Sequence, residues 1–422
     1  MFRLTRAQVQ PVGVDLGTDS IKMLQLEIVD GSLSVVAAAR APMPDEVRAA
    51  PLEDRMSVAA GLVKGLLRQN PFVGRNVVLA LPREMVHVKN LRMAPLPDTE
   101  LPAAIRAEAT NLFPIDIDID SAQVRHLLAG EVRQGGEARQ EVIVLAARND
   151  DVDGFVERFH SSGAVIQSLD VEPCAAYRSV ERFIRRQDDE QDVNVLIDIG
   201  ARQTLVVIGR GRSVSFVKSI DIGGDHLNDV VAKKLGLDPA ESRTLRRRLG
   251  DTGGATGAQD PVRQAVHDVE RSVIEDLIRE VGLCLRYYSV TFRGSRPTRV
   301  RLTGGEAADP SVQALMNAAL PMPVEAARPL HSVNISRMKA SDRRGSLAEW
   351  SVALGLSLKA TTRHFGPRDG KPRTVPAPMA ALSPSAAPAN AASQAALATV
   401  EQAMAAAPTI TATPLTRGVT HA

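Results

Sequence analysis

Val12-Gly13-Val14-Asp15-Leu16-Gly17 and Val195-Leu196-Ile197-Asp198-Ile199-Gly200 are two copies of one pattern, an apolar strand ending in Asp-x-Gly. Each runs through a short polar turn into a second apolar stretch, Ile21 to Val29 after the first copy and Thr204 to Ile208 after the second. Each half of the chain therefore begins with the same hairpin. Two lobes built this way offer an aspartate and a small, amide-rich turn from either side of a cleft. That arrangement suits a polyanion held with a metal, and a nucleotide is the leading candidate.

A phosphate-binding turn needs backbone N–H groups aimed inward, which glycine permits by close approach. Gly17-Thr18-Asp19-Ser20 supplies amides and two hydroxyls, with Lys22 just beyond. Gly200-Ala201 with Thr204 does the same from the other lobe. A Walker loop or Rossmann turn runs from its glycines into a helix. Both turns here run into strands, which excludes those folds. Asp15 and Asp198 are predicted to face each other across the cleft, where carboxylates beside a triphosphate hold Mg²⁺ through its retained waters. The alternative is that each aspartate caps its own turn.

Three further stretches bear on the site. Thr303-Gly304-Gly305-Glu306 ends a strand and precedes an apolar helix, Val312 to Ala319, so its glycines admit a flat adenine. Glu172-Pro173-Cys174-Ala175-Ala176 lies before the second hairpin, where Glu172 is placed to orient a water attacking the γ-phosphate. A carboxylate favoured by a helix N-terminus, with proline next, is an equal reading of Glu172. Arg243 to Arg248 holds four arginines and reads as a solvated helix face, in preference to a role at the ribose or phosphates.

A chain of 422 residues allows two or three domains with their own cores. Its 51 basic and 49 acidic residues leave a formal charge of +2, no field for steering nucleic acid. Aromatic residues make up 3%, which argues against base-stacking platforms. Cys174 and Cys284 are too few for a disulfide scaffold or a cysteine zinc site. No apolar run approaches the roughly 20 residues of a membrane span, and Met1 to Gln10 lacks a signal-peptide core. The expectation is a soluble cytoplasmic protein.

Strands are predicted over 12–16, 21–29, 33–38 and 76–81, with a helix over 56–69. An α+β block follows, with a helix over 99–112, a strand over 141–147 and a helix over 152–161. Ile115 to Asp120 alternates isoleucine and aspartate. This reads as a strand with isoleucines inward, in preference to a metal site of three carboxylates. A strand over 164–169, a helix over 172–185 and a charged linker over 187–191 lead to the second lobe. There strands are predicted over 193–199, 204–208, 213–220 and 299–302, and helices over 224–235, 239–249, 262–290 and 347–358. Gly250 to Asp260 reads as a flexible loop. The Pro/Ala/Ser/Thr-rich segment beyond about 361 buries too little apolar area to order itself. The expected division is 1–10, a first lobe over 11–81 and 166–190, an inserted subdomain over 82–165, a second lobe over 191–360 with its own subdomain at about 225–298, and a tail over 361–422.

Hairpin, crossing helix with Glu-Pro-x-Ala-Ala, second hairpin and Gly-Gly-Glu is the order of the actin, sugar-kinase and DnaK-chaperone superfamily. Within it the chain resembles the PilM family, actin-like assembly proteins of type IV pili related to the division protein FtsA. The resemblance is carried by Gly13 to Lys22, Leu91 to Pro97, Val142 to Arg148, Asp198 to Ala201, Ile220 to Asp225 and Leu302 to Glu306, and covers about 12–360. It implies an α/β, actin-like (ribonuclease-H-like) two-lobed fold, with ATP and Mg²⁺ in the central cleft. It also implies phosphate contacts at Gly17, Thr18, Asp19, Ser20, Lys22, Gly200 and Thr204, and nucleotide-side contacts at Gly223, Gly224, Gly304 and Gly305. Glu241 matches an acidic residue facing the nucleoside; the lysine that commonly follows three residues later is Thr244 here, which lowers the expected nucleoside affinity and ATP turnover unless Arg243 compensates.

The resemblance further implies an adaptor on the inner face of the inner membrane. It would bind the cytoplasmic N-terminal segment of a PilN-like membrane protein beside the inserted subdomain, with other pilus ATPases or further copies of itself as additional partners. Two other functions share this superfamily fold. A filament-forming FtsA-like protein needs a C-terminal amphipathic basic helix, and Leu415 to Ala422 has one arginine and no apolar face. A small-molecule kinase needs a catalytic base in a substrate pocket, and no residue stands out for that role.

Overall fold

Runs of valine, isoleucine and leucine around both Asp-x-Gly turns form strands, as their β-branched content favours. The computed structural model describes residues 7–361, apart from 119, 185, 187, 252–260, 293–295 and 344. The tail and most of the Gly250–Asp260 loop thus lie outside the described residues.

The first lobe opens with β1 (Gln8–Val9), β2 (Val12–Leu16), β3 (Ser20–Val29) and β4 (Ser32–Pro42), then α1 (Asp45–Arg48), α2 (Leu52–Gln69) and β5 (Asn76–Leu81). An inserted unit follows: β6 (His87–Met93), α3 (Leu101–Leu112), β7 (Ala122–Gln134) and β8 (Glu137–Arg148). The chain returns through α4 (Asn149–Ser161), β9 (Val165–Val171) and α5 (Glu172–Glu181). The second lobe comprises β10 (Val193–Ile199), β11 (Thr204–Arg210), β12 (Ser213–Ile220), α6 (Gly224–Leu235), α7 (Pro239–Asp251), α8 (Pro261–Thr291), β13 (Pro297–Thr303), α9 (Pro310–Ala319) and β14 (Val324–Ala326). The last helix is α10 (Ser351–Ser357).

The two lobe sheets repeat one topology. The first runs β4-β3-β2-β5-β9, with β1 also on β3, and the second runs β12-β11-β10-β13-β14. In each, three antiparallel strands of the hairpin are followed by two parallel ones. This is the duplication that the twin motifs predict.

Side-chain alternation decides what covers the first sheet. Val12, Val14, Ile21 and Met23 pack against Met56, Ala59 and Val63 of α2 and Phe155 and Phe159 of α4. Leu24 and Leu26 point the other way, onto Trp350, Leu354 and Leu358. The sheet is therefore a middle layer between helices. Helix α10 lies so close to α5 that a Cβ at Gly355 would overlap the backbone of Ala175. Only glycine permits that approach.

The inserted unit has its own core, in which Leu101, Ile105 and Ala109 of α3 pack on Val142, Val144 and Ala146 of β8. Its three strands run in the order β6-β8-β7. Because Phe155 and Phe159 belong to the first lobe's core, this separate core ends with β8 and α4 is part of the lobe. One expectation fails: Ile115 to Asp120 forms no strand among its described residues. Ile117 is buried and Asp116 and Asp118 are exposed, so the in–out pattern holds in a turn. The Asp116 carboxylate accepts the Asp118 N–H at 3.1 Å and the Ser121 hydroxyl at 2.9 Å, an aspartate-stabilised turn without a pleat.

Candidate functional site

Both Asp-x-Gly turns sit at the ends of central strands. Asp15 is the β2 partner of Lys22 on β3, and the ammonium lies 3.3 Å from its carboxylate. Burial alone would lower the Lys22 pKa, but Asp15, Glu349 and Asp19 around it raise it. Asp198 is the penultimate residue of β10, buried in the second lobe, and accepts the Thr303 hydroxyl at 2.8 Å. Asp15 and Asp198 are thus each met by a side chain, Lys22 and Thr303. Burial first, and then the charge of Asp15, pushes Asp198 above the ordinary carboxylate range despite the Thr303 bond. Glu172, the first residue of α5, is pushed up by burial and by Asp198 and Asp15. Three carboxylates thus share one field at the cleft floor. Among the described residues no group of three or more His, Cys, Asp or Glu is arranged to hold a metal ion by itself.

The remaining predicted residues divide into available and committed groups. Gly17, Thr18, Asp19 and Ser20 form the turn between β2 and β3. Gly200 closes the second turn by donating to the Gln203 carbonyl at 3.0 Å. Thr204 is fully buried and its hydroxyl donates to the Ile222 carbonyl at 2.7 Å. The N–H of Gly223 donates to His226 Nδ1, and those of Gly224 and Asp225 to the carbonyls of Gly200 and Ala201. Gly223 and Gly224 therefore seat α6 against the second turn. Gly304 has φ +89° and lies over the Ile199 carbonyl and the Asp198 carboxylate, where a Cβ would overlap them. Beside it, Gly305 faces open space. Glu241 is exposed and accepts the Asp238 N–H at 3.0 Å, while Asp238 accepts the N–H groups of Ala240 and Glu241. The pair is a capping box that starts α7. Thr244 is exposed and its hydroxyl donates to the Ala240 carbonyl.

The arginine run is not a solvated face. Arg246 is buried and pairs with Glu270, with Glu306 at 2.8 Å and with Asp309 at 3.2 Å, while also donating to Asn228. It ties α7 and α8 to Glu306, immediately after the Gly304-Gly305 turn. Arg243 and Arg247 cross to the first lobe, meeting Asp45 at 2.6 Å and Asp19 at 2.6 Å. Arg48 of α1 pairs with Asp19 and, at 2.5 Å, with Asp225, and its carbonyl accepts from Arg202. Arg83 reaches Gln203 and, at 2.8 Å, Asp221. Burial opposes ionisation of Asp19, but Arg247 and Arg48 hold its pKa below the usual value. Arg48, Arg83 and Arg202 escaped the sequence reading, and the run on α7 reads first as solvated, because an arginine looks the same in water and in an ion pair. The available signal was the scarcity of apolar residues in α7, where Leu245 and Leu249 are nearly alone. A helix so poor in apolar area must dock by charge or stay unattached.

The sequence profile of the family described as type IV pilus assembly protein PilM matches residues 13–361. Among solved structures, the chain is similar to one from a PilM–PilN type IV pilus biogenesis complex, at 24% identity and a TM-score of 0.68, covering 83% of this chain and 98% of that one. It matches the ethanolamine utilization protein EutJ from Carboxydothermus hydrogenoformans at 17% identity and a TM-score of 0.45, over 85% of this chain and 90% of that one. For MreB5 of Spiroplasma citri bound to AMPPNP the figures are 13% and 0.42, over 84% and 95%. The duplicated sheets and the similarity to the pilus protein identify the fold as actin-like. The chain belongs to the PilM family of type IV pilus assembly proteins.

Proposed function

We propose that this pilus assembly protein binds ATP with Mg²⁺ between its lobes and serves as an adaptor for the cytoplasmic N-terminal segment of a PilN-like inner-membrane protein. The observation that carries the reading is the pair of Asp-x-Gly turns on equivalent central strands, with Lys22 against one aspartate and Gly304 over the other. Lys22 offsets Asp15, whereas Asp198 is met by a neutral hydroxyl, which favours a further cation beside it. Because no third side chain completes a direct ligand set among the described residues, the ion would keep its waters. Bound Mg²⁺ would supply positive charge against the phosphate oxygens.

The amides of Gly17, Thr18, Asp19 and Ser20, with Lys22 and the Gly200 turn, would hold the phosphates. Gly304 and Gly305 would border the nucleoside, and Gly223 and Gly224 keep α6 against the second turn. Glu172 is the group nearest to a water-orienting role. Burial and the charges of Asp198 and Asp15 raise its pKa, which weakens it as a proton acceptor. That suits a scaffold retaining its nucleotide more than a rapid ATPase. Among the described residues no helix is long and apolar enough to cross a membrane, so attachment to the inner membrane would come through the partner. The similarity to a chain of a PilM–PilN complex supports that partner.

Two titrations test the reading. The purified chain should bind Mg²⁺–ATP, and should bind a synthetic peptide copying the N-terminus of a membrane protein encoded beside it. Polymers that pellet only with ATP, without any peptide binding, would replace the adaptor with a filament.

A further inference from the structure

The cleft contains a second ionic system, adjoining the one formed by Asp15, Asp198 and Lys22. Asp19, in the middle of the first glycine turn, is held by one guanidinium from each lobe: Arg48 of α1 and Arg247 of α7. The Arg48 side chain is only 8% exposed, and its other nitrogen reaches Asp225 at the start of α6, directly behind the second turn. Its carbonyl is bound by Arg202 within that second turn. The Asp19 carbonyl accepts the Met43 N–H at 2.9 Å, anchoring the segment that carries Arg48. A guanidinium therefore spans the gap between the two turns, and a second approaches it from α7.

We propose that Arg48 and Arg247 are the side chains that engage the nucleotide's phosphates, and that Asp19 is a built-in anion holding them in place until a nucleotide arrives. The inference rests on reading the cleft as a nucleotide site, and adds two cations and a competitor to it. A carboxylate in a phosphate-binding turn repels the ligand unless it is neutralised, and Arg48, Arg247 and Lys22 all bear on Asp19. Guanidinium forks match phosphate as well as they match carboxylate, and a triphosphate carries several times the charge of one aspartate. On binding, the two arginines exchange Asp19 for phosphate oxygens while remaining attached to opposite lobes. Cleft closure is then read through phosphate charge, so affinity rises with phosphate number while the adenosine contribution is unchanged.

Arg247 is 59% exposed, so its replacement does not threaten folding. Calorimetric titration of the full chain with Mg²⁺–ATP, ADP and adenosine tests the exchange. Arg247→Gln should weaken ATP binding about tenfold, as expected for loss of one charge-assisted contact, and leave adenosine binding as it was. Asp19→Asn keeps the backbone amide but removes the competitor, so ATP should bind more tightly than to the parent chain. ATP affinity unchanged in Arg247→Gln, or weakened in Asp19→Asn, would overturn the assignment and leave the pairs as fastenings between lobes. A parent chain that takes up no ATP would overturn the nucleotide reading, and this inference with it.

Discussion

Asp15 and Asp198 occupy equivalent positions in two sheets of one topology, yet their surroundings differ. Asp15 lies beside a buried ammonium, whereas Asp198 is buried with a neutral hydroxyl. Duplication preserved the strand order and the motif but not the electrostatics. The first lobe brings charge to the cleft, through Lys22, Asp19 and Arg48. The second brings backbone turns, a hydroxyl and the Arg247 guanidinium that meets Asp19, and keeps its most deeply buried ion-pair network behind the glycine turn, around Arg246. A shared fold therefore sets where the carboxylates sit, and the local partners set what each does when altered.

The largest effect is expected where the comparison is erased altogether. Replacing both Asp15 and Asp198 with alanine should abolish Mg²⁺–ATP binding in a titration; unchanged affinity would show that neither aspartate serves the cleft. Removing Arg246 comes next. Arg246→Ala leaves Glu270, Glu306 and Asp309 without their shared cation and should cost about 3–5 kcal/mol, measured by urea denaturation. The single substitutions then separate the lobes. Asp15→Asn strips Lys22 of its ion pair and should destabilise by about 1–3 kcal/mol. Asp198→Asn removes a poorly solvated charge and keeps the Thr303 contact, so its stability should stay within about 1 kcal/mol of the parent. Equal losses in the two variants would show the lobes to be electrostatically alike after all.

Titration of the second lobe provides a smaller, signed effect. Burial pushes Glu270 up to about 7; Arg246 pulls it back, and Asp309 and Glu306 add to the rise. Between its ordinary value and about 7 the unfolded chain has released a proton that the folded chain retains. Stability from this group is complete at acidic pH and falls as the pH rises through that window. Glu270→Gln should flatten this part of the profile; a slope equal to the parent's would place its origin elsewhere.

How much was legible follows the physics of each segment. The hairpins and the helices over α2, α6 and α8 could be read because burial on one face imposes a period on the sequence. Strand β7 was missed because it is an edge strand whose alternation is blurred by Gln123, Arg125, His126, Glu131 and Arg133. Ile115 to Asp120 misled for the opposite reason, since its alternation arises from a turn stabilised by Asp116. The site aspartates were legible as a repeat. The arginines were not, because their partners Asp19, Asp45, Asp225 and Glu270 are distant in sequence and carry no periodicity of their own.

The weakest prediction concerns a cross-lobe pair with an exposed acidic partner. Arg243 meets Asp45 at 2.6 Å, but the Asp45 side chain is 54% exposed. Water and salt screen such a pair, and ordering two side chains offsets part of the attraction. A double-mutant cycle with Arg243→Ala and Asp45→Ala should therefore give a coupling of about 0.2–1 kcal/mol, fading at high salt. Arg246 and Arg243 lie three residues apart on α7, on the same helix and with the same chemistry. If the pair at Arg243 coupled as strongly as the network at Arg246, depth of burial would not be what separates them. The cleft would then be held shut by its rim, with the exposed ion pair closing the lobes.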